Sequence, residues 1–295
     1  DSDIALGQPL TAAGPPDLTV RRVDAEGPFG DDEPGGERIA QLALGERRFY
    51  TGTDNGAHYV LRIHGICDFL VDRSLSTIEC RAQPSAEAEL LSLLVRGGLL
   101  AFVLGLRGAC VLHASVVETD GGSVAFVGGS GQGKSTLAAL TCRDGARFVS
   151  DDLLRLDEEV RPSWVGCSSE LRLRPAAAPM AEGEPWEARQ TMDERVALRP
   201  PRSVGAVGLL GAVVVPAPTR ESTELTVTRI EPLAATFALS AFPRLMWELP
   251  AVLATQFAGV ARLADAVPLY RASVPWGPPF AAGLGADLLS AVLQS

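Results

Sequence analysis

Nothing in this 295-residue chain constrains its fold as tightly as the stretch "SVAFVGGSGQGKSTLAAL", residues 123–140. Gly128, Gly133, Lys134 and Ser135 satisfy the pattern G-x-x-x-x-G-K-[ST]. The apolar run before the glycines reads as a strand and "STLAAL" after them as a short helix. In such a strand-loop-helix unit the glycines let successive N–H groups converge on phosphate oxygens, and the helix dipole aims its positive end at the same place. The expected cradle is Gly128, Gly129, Ser130, Gly131, Gln132, Gly133, Lys134, Ser135 and Thr136. Lys134 would bridge the β- and γ-phosphates of ATP, and Ser135 would ligate Mg²⁺.

Lys134 is also the chain's only lysine; the other 25 of its 26 cationic residues are arginine. A planar, bidentate guanidinium does not substitute for a compact ammonium in a narrow cradle, so the position kept as lysine in an arginine-biased chain is singled out. A guanine-specific N-K-x-D motif would need a second lysine, which excludes a Ras-like switch GTPase. No L-S-G-G-Q-like segment appears, which disfavours an ABC-type ATPase.

Composition narrows the partners. A net charge of −10 without clustered cations argues against nucleic acid, whose binding needs Lys and Arg facing phosphates. With 46% hydrophobic and 21% charged residues the chain is globular rather than disordered. Cys67, Cys80, Cys110, Cys142 and Cys167 are scattered without a C-x-x-C pair, the pattern of buried reduced thiols. With no signal-peptide pattern at the start, this predicts a cytoplasmic protein. The most apolar stretch, 90–112, is interrupted by Arg96, Arg107 and the Gly97-Gly98 pair, so it is expected to form a buried helix pair and no membrane span.

Along the chain, residues 24–37 are acidic and rich in Gly and Pro, as in a mobile loop. Short β-rich runs between 38 and 81 predict a small, mostly antiparallel domain over 1–84. Helices over 85–107, with Ser85 as N-cap, would bridge to a second domain at 108–295. In that domain "ACVLHASVVET" and "SVAFVG" flank the turn Asp120-Gly121-Gly122 and predict a hairpin feeding the glycine loop. "ARFVS" reads as the next strand, 175–202 as irregular, 204–216 as one or two buried strands, and 232–264 as helices broken at Pro243 and Pro250.

The chemistry clusters around that loop. Asp151 and Asp152 follow the strand after the loop helix, where a carboxylate faces the γ-phosphate end of the site. One can take the proton of an acceptor hydroxyl and the other can hold Mg²⁺. Asp151 is favoured as base and Asp152 as metal ligand, with the reverse open. His113, 21 residues before Lys134, is a candidate phosphate contact or partner for an Asp. Glu170 is a third candidate for Mg²⁺ or a solvated strand residue. Arg172, Arg174, Arg202 and Arg220 are candidates to neutralise a transferring phosphoryl group. His58 and His64 carry no functional expectation.

"LHASVV", "FVGGSGQGKSTLA" and "GARFVSDDLLRLD", in that order, resemble the HPr kinase/phosphorylase family, and within it the shorter HPr-kinase-like serine kinases. The resemblance implies an α/β fold: a P-loop kinase core of the HPr kinase type with a smaller, mostly antiparallel β domain before it. It implies an active site of His113, Lys134, Ser135, Asp151 and Asp152, with ATP and Mg²⁺. "CSSELRLRP" matches poorly the family's segment carrying a metal-binding Glu, and the Pro-Gly-Arg segment associated with dephosphorylation is not recognisable. The expected activity is therefore phosphorylation, without phosphorylase activity, of a serine or terminal hydroxyl on a peptide or protein, a natural-product precursor peptide included. A small-metabolite P-loop kinase and a non-catalytic ATP-binding regulator are the alternatives. Self-association into a homo-oligomer stays open.

Overall fold

The computed structural model describes residues 2–4, 6, 17–24, 32–156, 163–165, 170–191, 194–201 and 207–293. It is a mixed α/β protein with several sheets. The chain divides into two compact units, Asp1–Ala109 with Arg244–Gln256, and Cys110–Pro243 with Phe257–Ser295.

The first unit is built on six strands: β1 (Thr19–Asp24), β2 (Glu37–Leu44), β3 (Arg47–Asp54), β4 (Tyr59–Ile63), β5 (Cys67–Val71) and β6 (Thr77–Ala82). Their order is β1-β6-β5-β4-β3-β2; all pairs are antiparallel except β1 with β6. In β6, Ile78, Cys80 and Ala82 are buried while Thr77, Glu79 and Arg81 face out, the period-2 pattern of a strand with one face on a core. Of the acidic segment 24–37, Asp24 closes β1 and Glu37 opens β2, while 25–31 lie outside the described residues. His64 hydrogen-bonds Thr51 at 2.9 Å and His58 approaches Asn55 at 3.1 Å.

Two expectations about the apolar segment are corrected. The helix starts at Ala88 with Glu87 at its N-cap; Ser85 instead donates to Gln83. The Gly97-Gly98 pair does not break it either: α1 (Ala88–Leu94) runs through one π-helical stretch at Val95–Leu99 into α2 (Leu100–Leu106). Glycine costs about 1 kcal/mol in a helix, less than is gained by burying Leu91, Leu99 and Phe102 completely. Phe102 stacks on Trp247 at 5.3 Å between centroids, and Gly105 leaves room for the same indole. By length and composition this helix could cross a membrane; 56% of its most apolar window is buried within the protein. These helices, expected to bridge two domains, fall within the first unit.

The second unit carries a branched sheet. Its strands are β7 (Cys110–Leu112), β8 (Ala114–Thr119), β9 (Gly122–Val127), β10 (Arg147–Ser150), β11 (Leu154–Leu156), β12 (Ser163–Val165), β16 (Val207–Thr219), β17 (Thr226–Ile230) and β18 (Leu269–Pro275). A small sheet of β13 (Leu171–Leu173), β14 (Glu187–Gln190) and β15 (Val196–Arg199) stands apart, in the order β13-β15-β14. The helices are α3 (Lys134–Arg143), α4 (Pro232–Ser240), α5 (Pro250–Ala266), whose first turns belong to the first unit, and α6 (Leu284–Leu293). The long β16 is the branch point: residues 207–209 pair antiparallel with β12, and residues beyond them run parallel to β9 and β18.

Both faces of the central strands are covered, which is why they read as near-continuous apolar runs. Val124 and Phe126 of β9 pack with Leu137 and Leu140 of α3 and Leu288 of α6. Ala125 and Val127 point the other way, toward Ala235 and Leu239 of α4 and Val260 and Leu263 of α5. The β8–β9 hairpin forms as expected, with Thr119 opposite Gly122. Pro243 lies between α4 and α5, and Pro250 opens α5, where its missing N–H costs nothing.

The segment 175–202 is not irregular throughout. It holds a 3₁₀ helix at Pro175–Ala181 and strands β14 and β15. These strands are held by pairing, β15 with both β13 and β14, and by ion pairs rather than by a long apolar run, so their Pro and charge content masked them. The buried cysteines Cys67, Cys80, Cys110 and Cys142 are reduced thiols outside any disulfide, and Cys167 lies outside the described residues. Burial pushes the Cys110 and Cys142 thiols up to about 12, so they stay protonated and inert.

Candidate active site around the glycine loop

The loop 128–133 leaves the carboxyl end of β9 and enters α3, and its glycines have steric reasons. Gly131 (φ 87°) and Gly133 (φ 88°) occupy the left-handed region that other L-residues avoid. A Cβ on Gly128 would lie 2.5 Å from Gln132 Oε1, the atom that accepts the Gly129 N–H at 2.5 Å. Gln132 thus ties the loop from inside. Lys134 begins the helix, is only 5% exposed, and donates from Nζ to the Gly129 carbonyl at 2.9 Å, so its ammonium is folded back over the loop.

β10 delivers the two aspartates to this loop. Asp151 is 8% exposed and accepts from three donors. Ser135 Oγ donates to its Oδ1 at 2.9 Å, Ser115 Oγ donates to the same oxygen at 2.5 Å, and the Arg172 N–H donates to Oδ2 at 3.0 Å. Asp152 is 42% exposed in its side chain and pairs with His113 Nε2 at 3.0 Å. Its φ of 75° puts it in the left-handed region, where a non-glycine residue is strained; such strain clusters at functional sites. This turn sends adjacent side chains to different surroundings.

His113 does not sit inside a strand, as expected, but in the break between β7 and β8. There the chain passes from pairing with β11 to pairing with β9. Its backbone bridges this break to the loop: its N–H donates to Phe242 O at 3.1 Å, and its carbonyl accepts the Gly128 N–H at 3.3 Å. Ser115 is the residue sequence reasoning missed. Its place on β8, the hairpin partner of the strand that enters the glycine loop, was the available signal.

Glu170 goes elsewhere. It is 6% exposed, and its oxygens are held by Arg189 (2.8 Å) and Arg199 (2.9 Å) of the small sheet. Burial pushes this carboxyl up; the hydrogen bonds and charge of Arg189 and then Arg199 outweigh it and hold the group below its ordinary value. The two guanidinium groups engage Glu170 as a structural ion-pair node, so the solvated strand residue is excluded by its burial and the metal role is disfavoured by its partners. No three His, Cys, Asp or Glu residues converge as a metal-binding group among the described residues. Among the candidate arginines, Arg174 donates to Ser130 Oγ at 3.3 Å and Arg220 stacks on Trp276 at 4.4 Å. Arg172 contributes its backbone to Asp151, and Arg202 lies outside the described residues.

No protein-family model matches the chain, and no curated protein does. Among solved structures, the HPr(Ser) kinase/phosphatase from Coxiella burnetii is similar at 12% identity and a TM-score of 0.31, over 62% of this chain and 93% of that one. The likeness is distant, and the functional reading rests on the geometry of the loop and its carboxylates.

Proposed function

We propose that this protein is an ATP- and Mg²⁺-dependent kinase that phosphorylates a serine or terminal hydroxyl of a peptide or protein, and that residues 128–136 are its phosphate loop. The observation that carries this is the hydrogen bond from Ser135 to Asp151 beside Lys134. Oxygen ligands of this kind suit a hard divalent cation, and in the glycine loop a Cβ at Gly128 would strike Gln132 while Gly131 and Gly133 hold positive φ. The chain's residues therefore fit both groups. Bound Mg²⁺ would neutralise charge on the phosphate oxygens and orient them.

Asp151 and Ser135 hold the metal side, because a buried carboxylate already engaged by three donors is poorly placed to reach an acceptor. Asp152 is the base, reversing the roles favoured from sequence. It is exposed enough to meet a hydroxyl, and His113 fixes its carboxylate. Asp152 takes the acceptor proton as that oxygen bonds the γ-phosphorus, and the β–γ bridging oxygen leaves with its electron pair on ADP. Lys134 holds the phosphates through this step. Exposure of Asp152 also favours a flexible acceptor, a peptide or a protein loop, presented from solvent. The test is incubation of the full chain with γ-labelled ATP, Mg²⁺ and a serine-containing peptide library, read by mass spectrometry. A +80 Da serine or terminal product is expected; a library left unlabelled by a chain that labels small polyols in a parallel incubation overturns the acceptor class.

A further inference from the structure

The geometry points to Arg174 as the residue that senses and stabilises the γ-phosphoryl group, an arginine supplied by the same chain. This rests on the phosphate-loop reading. Arg174 immediately follows β13, and its guanidinium lies against the crown of the loop. Nη2 is 3.3 Å from Ser130 Oγ, and Nη2, Nη1 and Cζ would all fall within 3.2–3.4 Å of a Cβ on Gly131. That group therefore rests flat on a glycine. Gly131 is needed there twice, for its φ of 87° and for this close approach.

The charge arrangement makes the case. Arg62, Arg189 and Arg199 each bond a carboxylate, whereas among the described residues Arg174 has no carboxylate partner. It stands instead against Ser130 and Gly131 of the loop whose Gly129 carbonyl holds the Lys134 ammonium and whose far end is the positive amino terminus of α3. Three positive groups thus meet at one loop, and a triphosphate laid along it would face all three. The position of Arg174 is also fixed from behind. Glu170, four residues earlier, is clamped by Arg189 and Arg199, and the Arg172 N–H is bonded to Asp151. β13 thus runs from an ion-pair node, past the metal side of the site, to the loop crown.

In the transfer step Arg174 makes and breaks no bond. The acceptor oxygen bonds phosphorus, its proton goes to Asp152, and the bridging oxygen departs on ADP; the guanidinium offsets charge on the phosphoryl oxygens, as an arginine supplied in cis does in other phosphate-loop enzymes.

The experiment measures Mg²⁺-dependent affinity of the full chain for ATP and for ADP by calorimetry, with single-turnover phosphotransfer alongside, for wild type, Arg174→Ala and Arg174→Lys. Arg220→Ala serves as an unrelated arginine control. Expected are an ADP affinity unchanged by Arg174→Ala, a preference for ATP over ADP lowered about tenfold, and a transfer rate lowered about 10²- to 10³-fold. Arg174→Lys should recover part of both, and Arg220→Ala should match wild type. An Arg174→Ala protein with the wild-type ATP-to-ADP ratio and rate overturns the role of Arg174. A wild-type chain that binds neither nucleotide overturns the phosphate-loop reading itself, so the two failures are distinct.

Discussion

The two halves of the candidate site contrast sharply although the chain enters them through adjacent residues. On the Asp151 side a buried carboxylate receives three donors, Ser115, Ser135 and the Arg172 N–H. On the Asp152 side a carboxylate more than two-fifths exposed has His113 as its partner at 3.0 Å. With the Ser135 proton given to Asp151, the Ser135 oxygen keeps its lone pairs for a cation, so the buried carboxylate would act on the metal through that hydroxyl. An exposed one can meet a substrate and exchange a proton. In the proposed reading the division between metal side and base falls at the turn at Asp152, whose φ is 75°.

The contrast can be broken most severely at its exposed end. Asp152→Asn should lower the transfer rate about 10²- to 10⁴-fold, the usual worth of a general base, while nucleotide affinity stays near wild type. Equilibrium binding beside single-turnover rates checks both halves of that statement. Lys134→Arg comes next. The charge is kept, but a guanidinium cannot fold back on Gly129 as the ammonium does, and a loss of about a hundredfold in rate is expected from one displaced phosphate contact. Wild-type turnover in that folded variant would mean that the loop does not cradle phosphate.

The smallest effect concerns the support beneath the buried half. Glu170→Gln should leave the fold intact but cost about 2 kcal/mol at neutral pH, the scale of hydrogen bonds to a charged group, reduced because both arginines are partly exposed. The pH dependence has a definite sign. The folded carboxyl is held below its unfolded value, so its contribution is complete above the unfolded value, near pH 4.3. It is lost as pH falls through the folded value. Urea midpoints from pH 7 to pH 3 should therefore drop more steeply in wild type than in Glu170→Gln, the curves converging at the acid end. Parallel curves would show that Glu170 is not the titrating support.

What was legible in the chain was local. The β8–β9 hairpin, the glycine loop, α3 and β10 follow from period-2 alternation, turn glycines and a helix start within residues 114–150, and these carry Lys134, Ser135 and the aspartate pair to one place. What was not legible depends on distant partners. Glu170 reads as a candidate metal ligand until Arg189 and Arg199, 19 and 29 residues later, claim its oxygens. The roles of Asp151 and Asp152 hang on a single backbone angle and on Ser115, which is 36 residues before Asp151. β14 and β15 were hidden because their stability comes from pairing and charge rather than from an apolar pattern. The helix through Gly97-Gly98 survives because packing overrides local propensity.

The division between the aspartates is tested most directly by titrating Mg²⁺ against single-turnover transfer in Asp151→Asn and Asp152→Asn. Asp151→Asn is expected to need about 10- to 100-fold more Mg²⁺ and to recover much of its rate at saturation. Asp152→Asn is expected to keep the wild-type Mg²⁺ requirement and to remain slow at every concentration. The opposite pattern, with Asp152→Asn rescued by Mg²⁺ and Asp151→Asn slow throughout, would contradict the division and return the base to Asp151.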